Sequence, residues 1–254
     1  MCVRSTQFDF DWRRGANFEV RATQRRAYHS PMGLDADLTA YYDAEALAGV
    51  RGTVDAMRLG IRTRFADLLR REGRHRLVDI GAGPGTDTVA FHHDGVDAVG
   101  VDLSPANVVT MCGRGAMGAA GSLYALPFPD AVFDALWTMS TFVHVPHDRF
   151  DEAMGELVRV VAPGAPLAIG TWGGHDFEGV PEFGDLRPYR FFSLATHARW
   201  RTMLERHGTL EHFETFPPSQ PGGWEYQYAV LRADHRGTKD TSDFDQRELR
   251  PGRR

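Results

Sequence analysis

Apolar positions along this chain alternate between two spacings. Val54, Met57, Ile61, Phe65, Leu68 and Leu69 recur at helical intervals within Thr53–Arg71. Phe150, Met154, Leu157, Val158 and Val161 do the same within His147–Val161, which Pro163-Gly164 then stops. Each set makes one apolar stripe along a helix. Shorter apolar runs stand between such stretches and predict strands at Arg76–Ile80, Ala98–Val101, Ala119–Ser122, Val132–Met139 and Leu167–Thr171. Helices are also expected at Asp35–Leu47, Gly85–His93, Pro105–Gly113 and Thr196–His207. Strands alternating with helices give an α/β fold, its sheet mostly parallel and covered on both faces. The last two runs, Leu210–Phe216 and Glu225–Leu231, have only Pro217–Trp224 between them. That is too short for a crossover helix, so they should pair antiparallel and bring the sheet to seven strands.

The ends do not share this patterning. Residues 1–34 show no sustained period and break at Ser30-Pro31; they are expected to be disordered or to be upstream sequence ahead of a start at Met32. Residues 234–254 are polar and charged and are expected to be a disordered tail, leaving 35–233 as one domain. Charge sharpens that division. The whole chain of 254 residues carries −5, but the two ends are basic and residues 35–233 alone carry −9. A body this acidic argues against a nucleic-acid partner. Two cysteines, Cys2 and Cys112, are too few for a disulfide framework, and no apolar run is long enough to span a membrane. A cytoplasmic protein without a membrane partner is the expectation, with its oligomeric state open.

The chemistry begins at Leu77–Thr88, LVDIGAGPGTDT, where an apolar strand ends in an acid and runs through Gly81, Gly83 and Gly85 into a helix. Alternate glycines allow backbone angles and close approaches denied to other residues, which suits a nucleotide-like ligand on the turn. A second acid, Asp102, ends the next strand in GVDLSP, where a doubly wound fold presents a carboxylate to ribose hydroxyls. The alternative, that Asp102 serves the following helix start, is weakened because Ser104 itself can cap it. The loop departs from the GxGxxG spacing of dinucleotide enzymes, and Asp87 would set a negative charge near a diphosphate. A cofactor without phosphates fits better than NAD.

Leu77–Thr171 resembles the class I S-adenosylmethionine-dependent methyltransferases of the type 11 small-molecule group. GSLYALPFPDAVFDALWTMS at Gly121–Ser140, HVPHDRFDEAMGELVRVVAPGAPLAIGTW at His144–Trp172 and the terminal hairpin carry the rest of the match, which covers about 36–233. The resemblance implies a Rossmann-like seven-stranded sheet with helices on both faces, a C-terminal antiparallel hairpin and N-terminal lid helices. It implies S-adenosyl-L-methionine as cofactor and methyl transfer to a small-molecule acceptor. Asp79 and the backbone of Gly81, Ala82, Gly83 and Gly85 would hold the methionine moiety; Asp102 would take the ribose and Leu103 would lie beside the adenine. Ser122 and Leu123 would border the adenine, and Thr138 would meet the amino acid end. Many relatives carry Asp where Ser122 stands. Tyr41 and Tyr42 resemble the helix that lids the cofactor.

Methyl transfer from a sulfonium can be accelerated largely by alignment and exclusion of water, so a catalytic side chain is optional. Where the acceptor is a hydroxyl, a general base helps, and His144 in TFVHVP is the candidate. His147 reads as part of a helix start. The segment GGHDFEGVPEFGDLRPYRFF, with His175, Asp176, Glu178, Arg187, Tyr189, Arg190, Phe191 and Phe192, should help cover the acceptor. Trp137, Phe142 and Trp172 could stack on a planar acceptor or pack. No spacing suggests a metal site, and no GxSxG elbow suggests a hydrolase. Two alternatives stand beside methyl transfer: a cofactor-binding module without activity, and an NAD-dependent oxidoreductase.

Overall fold

A computed structural model describes residues 33–49, 55–181, 186–218 and 223–234. The expectations for 1–32 and for 235–254 lie outside the described residues. Two helices, α1 (Leu34–Ala48) and α2 (Ala56–Glu72), precede β1 (Arg76–Ile80), α3 (Thr86–His93), β2 (Asp97–Asp102), α4 (Pro105–Gly113) and β3 (Met117–Ala120). The second half runs β4 (Ala135–Met139), α5 (Phe150–Val160), β5 (Pro166–Gly173), β6 (Phe177–Gly179), β7 (Phe192–Leu194), α6 (His197–Glu205), β8 (Gly208–Phe216) and β9 (Glu225–Ala233).

Seven strands form one sheet in the order β3-β2-β1-β4-β5-β9-β8. The first five are parallel, while β9 pairs antiparallel with both β5 and β8. Adjacent residues of a strand point to opposite faces, so Leu77 and Val78, both fully buried, enter different cores. Val78, Leu136, Leu167 and Ile169 pack with Met154 and Leu157 of α5 and Trp200 and Leu204 of α6. Leu77, Trp137 and Ala168 pack on the other face with Ile61 and Phe65 of α2 and Phe91 of α3. Each such side chain contributes about 1.5–3 kcal/mol on burial.

Helix starts follow local side-chain chemistry. Asp55 accepts from the Arg58 amide at 2.7 Å to cap α2, and Ser104 accepts from the Asn107 amide at 3.1 Å to cap α4, with Pro105 next. Several boundaries differ from the sequence reading, the third strand among them at Met117–Ala120 instead of Ala119–Ser122, and two have a local cause. The stretch from His147 opens as a 3-10 turn over His147–Arg149, with the α-helix beginning at Phe150. The fourth strand begins at Ala135 because Phe133 is drawn into a bridge with Val161. The short pair β6 and β7 was not expected at all: 177–179 and 192–194 are each too short to show a period.

The chain leaves β1 toward β2 and β3 on one side and returns to β4 and β5 on the other. The crevice beyond the carboxyl ends of β1 and β4, where that direction reverses, is where ligands bind in open α/β sheets.

Candidate active site

A solvent-open cleft of about 690 Å³ lies at that reversal. Ile80 and Gly81 line it from β1, Val101, Asp102 and Leu103 from β2, and Gly121–Tyr124 from the segment after β3. Met139, Ser140 and Thr141 follow from β4, and His144 from the 3-10 turn over Phe142–His144. Asp35, Leu38 and Tyr42 close it from α1. Their spacing puts them on one face of that helix.

The glycine turn is shaped by close packing. Gly81 has φ +70°, and a Cβ there would sit 2.0 Å from Thr141 Oγ1; Gly85 has φ +77°, and a Cβ would meet Met111 Cγ at 2.4 Å. Both positions combine a left-handed backbone with no room for a side chain. Only Gly81 lines the cleft. Gly85 instead lets α4 pack against the start of α3, while Gly83 uses its amide to donate to Asp102 Oδ2 at 2.7 Å.

Asp102 also accepts from the Ser104 amide at 2.9 Å and Asn107 Nδ2 at 3.2 Å. Three donors therefore fix this carboxylate, and of its roughly four acceptor sites one is left over. Ser122 Oγ donates to Asp35 Oδ2 at 2.7 Å. The serine thus carries a carboxylate beside it, delivered by α1. Asp43 on the same helix accepts from Ser104 Oγ and the Ala106 amide, tying α1 to the start of α4.

His144 is buried at the other end of the cleft. Its Nδ1 lies 2.7 Å from the Phe191 carbonyl, which can only accept, so the proton sits on Nδ1 and Nε2 keeps its lone pair. Tyr42 Oη is 2.6 Å from that Nε2 and donates to it. Arg190 Nη1 donates to Tyr42 Oη at 3.2 Å, and its guanidinium stands 4.3 Å over the Tyr41 ring and 5.1 Å over Phe192.

Beneath the glycine turn two buried acids sit in contrasting surroundings. Burial pushes Asp79 up to about 7, with the neighbouring Asp87 charge adding to the rise and a 2.7 Å bond from Thr88 opposing it. Burial also works to raise Asp87, but the Arg58 charge and hydrogen bonds from Arg58, Arg62 and Trp137 hold it below the usual carboxylate range. Neither acid lines the cleft. The charge of Asp87 is answered by α2, so it does not discriminate against a diphosphate as the sequence suggested. The cleft wall does. Among its lining residues are the carboxylates of Asp35 and Asp102 and no arginine or lysine.

Of the residues expected from sequence, Tyr42, Gly81, Asp102, Leu103, Ser122, Leu123 and His144 meet at the cleft. Asp79, Ala82, Gly83, Gly85 and Thr138 lie outside its lining, Thr138 with its hydroxyl buried and without a partner. Asp35, Leu38 and Tyr124 were not anticipated. Asp35, Leu38 and Tyr42 follow one another at spacings of three and then four residues, a signal that was available once Tyr42 was placed.

Residues 78–169 match the family model described as a methyltransferase domain. Over 118 residues the chain is 30% identical to 24-methylenesterol C-methyltransferase 2 of Oryza sativa, covering 43% of this chain and 32% of the relative. It is 32% identical over 122 residues to the chloroplastic tocopherol O-methyltransferase of Arabidopsis thaliana, and 29% identical over 144 residues to norajmaline N-methyltransferase of Rauvolfia serpentina. Those matches cover 43% and 51% of this chain and 34% and 48% of the relatives, so the chain spans at most about half of these curated proteins. Among solved structures, the 1,6-didemethyltoxoflavin-N1-methyltransferase of Burkholderia thailandensis aligns with a TM-score of 0.63 and 19% identity, over 82% of this chain and 92% of that one. The [4+2]-cyclase SpnF aligns with a TM-score of 0.59 and 18% identity, over 81% and 99%. The two are named for different reactions, so the shared fold does not by itself fix the chemistry.

Proposed function

Because this chain carries a class I S-adenosylmethionine-dependent methyltransferase domain of the type 11 group, we propose that the protein transfers the cofactor's methyl group to a small-molecule acceptor. The observation that carries the reading is the wall of the cleft. Its apolar members Leu38, Ile80, Val101, Leu103 and Leu123 suit a flat base, Asp102 offers a fixed acceptor to ribose hydroxyls, and a cleft with two carboxylates and no lining arginine or lysine favours a cationic ligand over a diphosphate. Asp35, held by Ser122, supplies the carboxylate that relatives place at the serine's own position.

Bound in the cleft, S-adenosylmethionine supplies a methyl group on a positively charged sulfur, a good leaving group. The chain's part is to orient and to exclude water. Helix α1 covers the ligand through Leu38 and Tyr42, and its ties at Asp35, Asp43 and Tyr42 hold the cover in place. His144 keeps its lone pair on Nε2, and the Tyr42 hydroxyl stands on it; an acceptor hydroxyl bonded to Tyr42 Oη gives its proton to that oxygen as the tyrosine's own proton moves to His144 Nε2. The similar proteins include C-, O- and N-methyltransferases, so the acceptor atom is left to experiment.

Calorimetry with S-adenosylhomocysteine tests the reading directly. Binding is expected in the full chain and is expected to fall at least tenfold in Asp102→Ala, whose ribose contact is lost; no heat with the unaltered protein removes the proposal. Binding without label transfer from a methyl-labelled donor to any of a broad set of metabolites would favour the second reading, a cofactor-binding module.

A further inference from the structure

Helix α1 brings one carboxylate to the wall of the cleft, that of Asp35, beside its own Leu38 and Tyr42. Ser122 Oγ donates to Asp35 Oδ2 at 2.7 Å and accepts from the Tyr124 amide at 3.4 Å, so the serine joins the helix to the segment that follows β3. That bond fixes one oxygen. Asp35 Oδ1 meets no donor among the described residues. Arg149 feels the charge of Asp35 but is stacked on the Tyr124 ring and paired with Glu152. A carboxylate has about four acceptor sites and no donor, so a partly buried one on a cleft wall has bonds to offer a ligand.

The position of Asp35 relative to Asp102 sets which part of a ligand it meets. The Gly121 amide donates to the Asp102 carbonyl at 3.0 Å, so the segment carrying Ser122 and Leu123 begins directly beside the ribose-binding acid. Leu103 lines the cleft after Asp102, and Leu38 and Leu123 line it near Asp35. Apolar side chains therefore stand between two carboxylates.

We propose that Asp35 reads the base of the bound nucleoside: with the ribose on Asp102 and the base against the leucines, Asp35 Oδ1 accepts from the exocyclic 6-amino group of adenine. The base is then selected by the covering helix. A purine without that amino group leaves the oxygen unpaired in a site closed to water, which is the condition under which polar recognition discriminates strongly. The bond also ties α1 down. Asp43 holds the same helix to the start of α4, and Tyr42 holds it to His144, so a ligand bond at Asp35 adds a tie at its first turn.

The assignment of Asp35 rests on the cofactor reading of the cleft, and one experiment separates the two. Calorimetry on the full chain compares S-adenosylhomocysteine with its 6-deamino analogue, in which hydrogen replaces the amino group. S-adenosylhomocysteine is expected to bind at least tenfold more tightly. Asp35→Ala should cut that preference to about twofold, with the affinity for the analogue unchanged, and Ser122→Ala, which unpins the carboxylate, should give a preference between the two. In the unaltered protein at saturation, S-adenosylhomocysteine should slow amide hydrogen exchange across Leu34–Ala48 further than the analogue does. Equal affinity for the two ligands, a preference undiminished in Asp35→Ala, or equal protection of α1 overturns the assignment and leaves the cofactor reading standing. No heat with either ligand overturns the cofactor reading, and the assignment falls with it.

Discussion

Beyond the carboxyl ends of the sheet, the large cleft and a small cavity beside β5 are finished to different degrees. At the cleft beyond β1 and β4, the proposed cofactor site, Asp102 accepts three bonds, Ser122 and Asp35 answer each other, and His144 uses both ring nitrogens. At the cavity beside β5, His147 and Thr171 each present a buried polar atom with no partner in the protein. A site that binds one cofactor in every turnover gains from groups fixed beforehand. A buried polar atom left without a partner instead costs its desolvation.

The largest effect should come from breaking the support beneath the cofactor side. Asp87 is buried under two arginines of α2 and the Trp137 indole, and its removal leaves those three donors facing a vacated acceptor. Asp87→Ala should cost about 3–5 kcal/mol, the usual result of removing one partner of a buried ion pair. Urea unfolding measures it. A loss under about 1 kcal/mol would mean that α2 is held by apolar packing alone.

The glycine turn and Asp102 were far more legible in the sequence than the surroundings of His147, and the reason is chain distance. Gly81, Gly83, Gly85 and Asp102 act through local turns on neighbouring strands, so a short motif carries them. The mostly parallel sheet and the terminal hairpin were legible for the same reason, since each follows from the spacing of adjacent elements. His147 and Glu178 stand thirty-one residues apart and meet only because the β6–β7 pair that follows β5 brings Glu178 to the 147–149 turn. Nothing periodic marks a three-residue strand. The role given to Asp87 in sequence was wrong for a related reason: its arginine partners are on α2, on the same face of the sheet but twenty-five and twenty-nine residues earlier, invisible to any local window. Asp35 was missed although its spacing to Tyr42 was in view, because its value lies in a bond to Ser122, eighty-seven residues on.

A titration tests the region beneath the glycine turn next. Asp79 has its folded-state pKa raised to about 7 from an ordinary value near 3.8, so between those values the folded protein binds more protons than the unfolded chain. Stability therefore falls as pH rises through this window, by up to about 1.4 kcal/mol per pH unit from this group. Asp79→Asn should remove that slope, and comparison of the two proteins by urea unfolding at pH 5 and pH 8 reads it. Equal pH dependence in both would show that Asp79 is ionised throughout, with Thr88 and Arg58 outweighing burial.

The smallest effect is also the sharpest, because its sign should differ between the two regions. Thr88 and Thr171 are both buried threonines, and valine replaces the hydroxyl of either with a methyl of similar size. Thr88 gives its proton to Asp79 at 2.7 Å, so Thr88→Val leaves a buried carboxyl short of a donor and should cost about 1–3 kcal/mol. Thr171 gives its proton to no protein group, so Thr171→Val removes a desolvated hydroxyl that earns nothing in the free protein. That variant should be neutral or more stable by up to about 1 kcal/mol. Thermal unfolding of both variants without ligand decides the matter. A loss at Thr171 as large as that at Thr88 would mean its hydroxyl is already satisfied, and the contrast between the two buried threonines would disappear.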